Sequence, residues 1–195
     1  QDPSTWSWTR TDKLFLDFLK EAHRRGFKVI LDGVFNHSGT EFWAFRDLVK
    51  NSRQSPFKSW YSVTKWDVSP SRPGAPAFEY QGWAGFDGLP EFAEDDLGLV
   101  PGIRDHIFDI TRRWQDPNGD GDPSDGVDGW RLDVPGNVNH PFWVDWRKVV
   151  KGVNPDAYIS GEVWENAAEW LKGDQFDAVM NYEFTKRVYG FFIPG

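Results

Sequence analysis

The sequence predicts an α/β fold built on a parallel sheet, and three observations predict it. Strand-like apolar runs alternate with segments whose apolar residues recur at helical spacing, in the order β-α-β-α-β-α-β. The first run, "FKVILDGVF", is nearly continuous in apolar residues, as a parallel strand buried on both faces would be. The first three runs each finish in a carboxylate: Asp32 in "VILDGVFNH", Asp133 in "GWRLDV" and Glu162 in "YISGEVW". Parallel neighbours would set these acids on one rim, where barrels of this class bind ligands.

The elements follow in order. Leu14, Phe15, Phe18, Leu19 and Ala22 make a helical stripe, with Arg24 and Arg25 in the last turn and Gly26 suited to a left-handed cap. After the first strand, residues 41–100 break the rhythm with dense Pro, Gly and aromatic residues, and read as an insert with few regular elements. Ile103, Ile107, Ile110 and Trp114 give the next helix, and "DPNGDGDPSDG" is a turn-rich connector. In "VDGWRLDV", Val127, Trp130, Leu132 and Val134 read as buried. Phe142, Trp143, Trp146, Val149 and Val150 form a third helix, with Pro141 in its first turn. "AYISGEVW" is a strand, "AAEWLKG" a short helix and "FDAVMNYEF" a fourth strand. The expected division is therefore a sheet-and-helix part over 1–40 and 101–195, and an insert over 41–100.

Composition excludes several functions. The chain has 195 residues, 39% hydrophobic, with 12 Trp and 16 Phe, enough for a sizeable core and about one domain. A net charge of −8 argues against nucleic acid or an anionic membrane as the main partner. No apolar run approaches the roughly 20 residues needed to span a bilayer. Cysteine is absent, so thiolate chemistry and disulfides are excluded. The opening "QDPSTWSWT" has neither Met nor a signal-peptide pattern, and both ends read as cut, which leaves cytoplasmic and secreted locations open.

Two carboxylates on one rim suit metal binding or glycoside hydrolysis. Retaining glycosidases need a nucleophilic carboxylate and a second acid about 5–5.5 Å away, a separation close to the ~4.8 Å spacing of neighbouring strands. Arg131 lies two residues before Asp133, on the same face of its strand, where its fixed charge would keep that carboxylate ionised. The partner acid should instead have a raised pKa, and Trp164, beside Glu162, is expected to make its surroundings less polar.

These residues resemble motifs of the α-amylase superfamily of glycoside hydrolases, most closely the neopullulanase, cyclomaltodextrinase and maltogenic amylase group. "DGVFNH", "GWRLDV" and "GEVWE" resemble the first three family motifs. "GDQFDAVMNYEF" is similar to the stretch after the third, and "LPEF", Leu89–Phe92, to a motif late in the inserted B domain. The resemblance implies a partial (β/α)8 TIM barrel, about strands 3 to 6, with a B-domain-like insert. It implies Asp133 as nucleophile, Glu162 as acid/base and Arg131 holding Asp133. Asp32, Asn36 and His37 would organise the rim, with His37 touching the sugar. The implied partner is an α-glucan, and a homodimer of the parent protein is compatible with the group. No cofactor is required for this chemistry.

The match departs from the pattern in two places. "DVPGNVNH" places Asn137 where relatives carry Glu on the acceptor side of the cleft, which opens transglycosylation or isomerisation as alternatives to hydrolysis. No His-Asp motif follows Glu162, so the chain lacks the third carboxylate and is expected to have little activity alone. A non-catalytic carbohydrate-binding or scaffold barrel is the rival of another class. Of the insert aromatics, Tyr80 and Trp83 are the expected substrate contacts and the rest its own core. Asp116, Asn118, Asp120 and Asp122 alternate like the first half of a calcium loop, but Val127 stands where the bidentate Glu belongs. Structural Ca²⁺ there competes with plain turn chemistry.

Overall fold

A computed structural model describes residues 2–193. The first helix, α1 (Arg10–Arg24), starts in a capping box: Asp12 N–H donates to Thr9 Oγ1 at 3.1 Å and Thr9 N–H to Asp12 Oδ2 at 2.8 Å. It ends where Gly26 takes φ +81°, the left-handed conformation expected of it. Strand β1 (Ile30–Gly33) follows.

The chain then leaves the sheet. Helix α2 (Trp43–Asn51) leads to an antiparallel pair, β2 (Val63–Trp66) and β3 (Phe78–Tyr80), and a short pair, β4 (Glu94–Asp95) and β5 (Gly98–Leu99). It returns through helix α3 (Pro101–Gln115), strand β6 (Gly129–Leu132), helix α4 (His140–Val153), strand β7 (Tyr158–Gly161), strand β8 (Ala178–Val179) and helix α5 (Tyr182–Phe192). Among the described residues no helix is long and apolar enough to cross a membrane.

The main sheet has the order β1-β6-β7-β8 and every pairing in it is parallel. The predicted α/β class with a parallel sheet therefore holds. Helices α3 and α4 cover one face. Trp143 and Trp146 of α4 are fully buried, and Trp146 Nε1 donates to Thr111 Oγ1 of α3 at 2.8 Å. Gly129 lets β6 approach β7 closely, since a Cβ there would stand 2.1 Å from the Tyr158 carbonyl oxygen. One apolar cluster runs from Phe45, Trp60 and Phe92 of the 41–100 segment to Leu132 and Ile159 of the sheet.

Three expectations need correction. Strand β1 is not buried on both faces: Ile30 and Val34 alternate with Asp32 on the face that carries Arg131, and that face is left exposed among the described residues. Leu14 and Phe18 of α1 are exposed as well. The stretch "AAEWLKG" is a series of turns rather than a helix. There the Asn166 side chain accepts from Ala168 N–H at 3.0 Å, the local competition that disfavours helix, and Gly173 at φ +96° turns the chain away. "FDAVMNYEF" contributes only two strand residues. Asn181, in a left-handed conformation, caps α5 by accepting from Phe184 N–H at 3.2 Å, so the chain is already turning into a helix.

Candidate active site

Strand periodicity builds the site. Trp130 and Leu132 point into the core and are buried, so Arg131 and Asp133 face the other side. The parallel register sets Asp32 of β1 opposite Arg131. Arg131 Nη1 donates to Asp32 Oδ1 at 2.6 Å and to Asp133 Oδ1 at 2.7 Å. Its Nη2 lies 2.7 Å from Glu162 Oε2. One guanidinium thus gathers the carboxylates at the ends of β1, β6 and β7. All three acids push the Arg131 pKa further above its ordinary value than burial lowers it.

Glu162 is the least exposed of the three, at 12%, against 24% for Asp133 and 55% for Asp32. Its Oε1 accepts from the Tyr182 hydroxyl at 2.9 Å and its Oε2 from Val134 N–H at 3.3 Å. Burial pushes its pKa up, but the Tyr182 hydroxyl, Val134 N–H, the Trp164 indole and Arg131 together hold it below the ordinary carboxylate value. The expected raised pKa is therefore corrected for the unliganded site. So is the expected part of Trp164: it is 46% exposed and lowers the Glu162 pKa rather than raising it.

Asn36 and His37 are buried at the end of β1. Asn36 Nδ2 lies 3.3 Å from His37 Nδ1, and burial pushes the His37 pKa down against the opposing pull of Asp133 and Glu91. The "LPEF" segment is clamped here: Phe92 N–H donates to the Asn36 carbonyl and Ser38 N–H to the Pro90 carbonyl, both at 3.0 Å. Trp83 stacks on His37, with ring centres 5.5 Å apart and planes at 20°, while its indole donates to Asn137 Oδ1 at 3.3 Å.

Asp32, Arg131, Asp133 and Glu162 thus gather on the rim, and Trp83 joins His37 to Asn137. Tyr80 goes elsewhere: its ring packs on Phe45 at 4.9 Å and its hydroxyl donates to the Asp87 carbonyl at 2.6 Å. That is core packing of the insert, not an open sugar platform. Tyr182 and Val134 contact Glu162 without having been expected to. For Tyr182 the only sequence signal was its place in "MNYEF"; for Val134 there was none, since the contact is made by its backbone.

The candidate calcium residues hydrogen-bond within their own loop. Asp116 accepts from Gly119 and Gly121 N–H, both at 2.9 Å, Asn118 from Asp120 N–H at 2.8 Å, Asp120 from Asp122 N–H at 2.8 Å, and Asp122 from Ser124 N–H at 3.0 Å. Asn118, Asp120 and Asp122 thus make successive Asx turns, while Asp116 reaches further along the loop. Among the described residues no group of three or more His, Asp or Glu side chains is placed to hold a metal ion.

Residues 10–193 match the family described as alpha amylase, catalytic domain. The chain belongs to the α-amylase family. Neopullulanase 2 of Thermoactinomyces vulgaris is 42% identical over 182 residues, which cover 93% of this chain and 28% of that protein. A cyclomaltodextrinase of a Bacillus species is 42% identical over 172 residues, covering 88% of this chain and 28% of the relative. This α-amylase-family chain therefore spans little more than a quarter of the curated relatives it matches. Among solved structures, a cyclic α-maltosyl-(1→6)-maltose hydrolase from Arthrobacter globiformis superposes with a TM-score of 0.78 at 36% identity, covering 94% of this chain and 38% of that one. A Nostoc punctiforme debranching enzyme gives a TM-score of 0.75 at 44% identity, covering 89% and 34%.

Proposed function

We propose that this chain is the part of a retaining α-glucan hydrolase that carries its nucleophile and its acid/base. The observation that carries the reading is the Arg131 guanidinium bonded to Asp133 and to Glu162, carboxylates at the ends of adjacent parallel strands. Supporting it are the names of the relatives, neopullulanase and cyclomaltodextrinase. The substrates are malto-oligosaccharides, cyclodextrins or pullulan, joined by α-1,4 and in part α-1,6 bonds. The chain supplies about strands 3 to 6 of a (β/α)8 barrel, with residues 41–100 as the inserted B-domain-like segment.

In the mechanism, Asp133 attacks the anomeric carbon while Glu162 gives its proton to the departing glycosidic oxygen. Glu162 then takes a proton from water, and the resulting hydroxide displaces Asp133 from the sugar. Two inversions retain the α configuration. Arg131 holds Asp133 as the anion it must be in order to attack. Glu162 must start protonated, yet the free site favours its anion. Substrate entering between Arg131 and Glu162 would replace the Nη2 contact and raise the Glu162 pKa when the proton is needed. His37 and Trp83 form the neighbouring wall, against which a sugar ring packs.

The test uses the full-length protein carrying this chain, incubated with maltoheptaose, β-cyclodextrin and pullulan. Products should appear first as α-anomers by proton NMR, and Asp133→Asn should abolish turnover. Full turnover by Asp133→Asn sinks the assignment. Initial formation of glucosyl-transfer products instead of free sugars would favour a transglycosylase. The 195-residue chain alone should show little or no hydrolysis.

A further inference from the structure

Val134, the residue after Asp133, has φ 35° and ψ 50°. A residue branched at Cβ rarely enters this left-handed region, because its side chain crowds the backbone there. Its surroundings hold it there. Val134 is buried, and the 3₁₀ turn Pro135–Asn137 follows it directly. Asn137 N–H donates to the Val134 carbonyl at 3.0 Å. The fully buried Trp143 donates its indole N–H to the carbonyls of Pro135 and Val138 at 3.0 and 3.2 Å.

The strain falls at one rung of the sheet. Up to this point β6 and β7 form a regular parallel ladder, in which Tyr158 N–H donates to the Asp128 carbonyl and Glu162 N–H to the Leu132 carbonyl, both at 2.9 Å. The next rung of such a ladder runs from Val134 N–H to the main-chain carbonyl of Glu162. Here the chain turns out of the sheet at Val134, and that N–H meets the Glu162 carboxylate, Oε2, at 3.3 Å.

We propose that Val134 is a positioning residue: its left-handed turn ends the ladder one rung early and gives the freed N–H to the Glu162 side chain, fixing the acid/base against the strand that carries Asp133. This rests on the functional reading above for the role of Glu162, but the contact can be measured without catalysis. A charged acceptor strengthens such a bond, so the N–H favours the anionic form of Glu162.

The experiment replaces the Val134 amide by an ester in the full-length protein, using the α-hydroxy analogue of valine, which removes the N–H and keeps the side chain. The Glu162 carboxyl is titrated by carbon-13 NMR and identified by its loss in Glu162→Gln. Its pKa should rise by about half a unit. An unchanged titration in the folded ester variant overturns the proposal. Val134→Asn, which tolerates the left-handed backbone and keeps the N–H, should leave the titration in place, and a shift there would also overturn it. If the unsubstituted protein fails to cleave any α-glucan while the ester still shifts Glu162, the functional reading fails and the positioning role stands.

Discussion

Arg131 Nη2 lies 2.7 Å from Glu162 Oε2, so the arginine that holds the proposed nucleophile also holds the proposed acid. Two groups that must differ in protonation share one cation. That arrangement favours the anion of Glu162, and it makes Arg131 the residue whose loss removes both contacts at once.

Arg131→Met should therefore leave Asp32, Asp133 and Glu162 facing one another without a counter-charge. Removing one partner of a buried ion pair typically costs 3–5 kcal/mol; with Arg131 24% exposed, about 2 kcal/mol is expected at pH 7. The sign with pH follows from Glu162, whose folded pKa lies below its ordinary 4.5. Its stabilisation is present above that value and is lost as pH falls through the folded pKa. Urea unfolding at pH 7 and at successively lower pH should show a penalty that shrinks as Glu162 becomes protonated; a penalty that stays constant would contradict this account.

Tyr182→Phe removes one hydrogen bond that favours the Glu162 anion. The Glu162 pKa should rise, moving the alkaline limb of kcat/KM in the full-length enzyme to higher pH. A limb that stays in place, or moves down, would show that Tyr182 does not act on the acid.

Asn137→Ala should free the Trp83 indole from its anchor while leaving the His37 stack intact. One neutral hydrogen bond is worth about 0.5–1.5 kcal/mol, so KM should rise roughly two- to tenfold with kcat little changed. A fall in kcat at constant KM would instead place Asn137 closer to the chemistry.

His106 of α3 is 8% exposed among Trp6, Phe42, Trp43 and Trp60, and burial lowers its pKa from 6.5 to about 4. It stays neutral in the fold, so its contribution to stability is complete above pH 6.5 and declines as pH falls towards 4. His106→Phe should flatten the unfolding midpoint between pH 6.5 and 4. An unchanged slope across that range would show that another group sets the acid sensitivity.

Much of this was legible in the sequence because it depends on local period. A helical stripe of Phe142, Trp143 and Trp146 points one way whatever lies beyond it. A strand with Trp130 and Leu132 buried must turn Arg131 and Asp133 to the opposite face. The ordered motifs ending in Asp32, Asp133 and Glu162 were therefore enough to put these carboxylates on one rim of a parallel sheet and to identify the family.

Only the tertiary structure decided what depends on register and on backbone turns. The pairing of Asp32 with Arg131 follows from how β1 aligns with β6, a relation between residues 99 apart that no local pattern encodes. Tyr80 and Trp83 looked alike in the sequence, yet one packs inside the insert and the other reaches His37, because Tyr80 lies in β3 paired with Val63 while Trp83 lies beyond it, where Gly82 pairs with Pro90. The Glu162 pKa turned the other way from expectation because donors from two segments far apart in the chain, Arg131 and Val134 at the end of β6 and Tyr182 at the start of α5, converge on it, and their sum outweighs the burial that the sequence suggested.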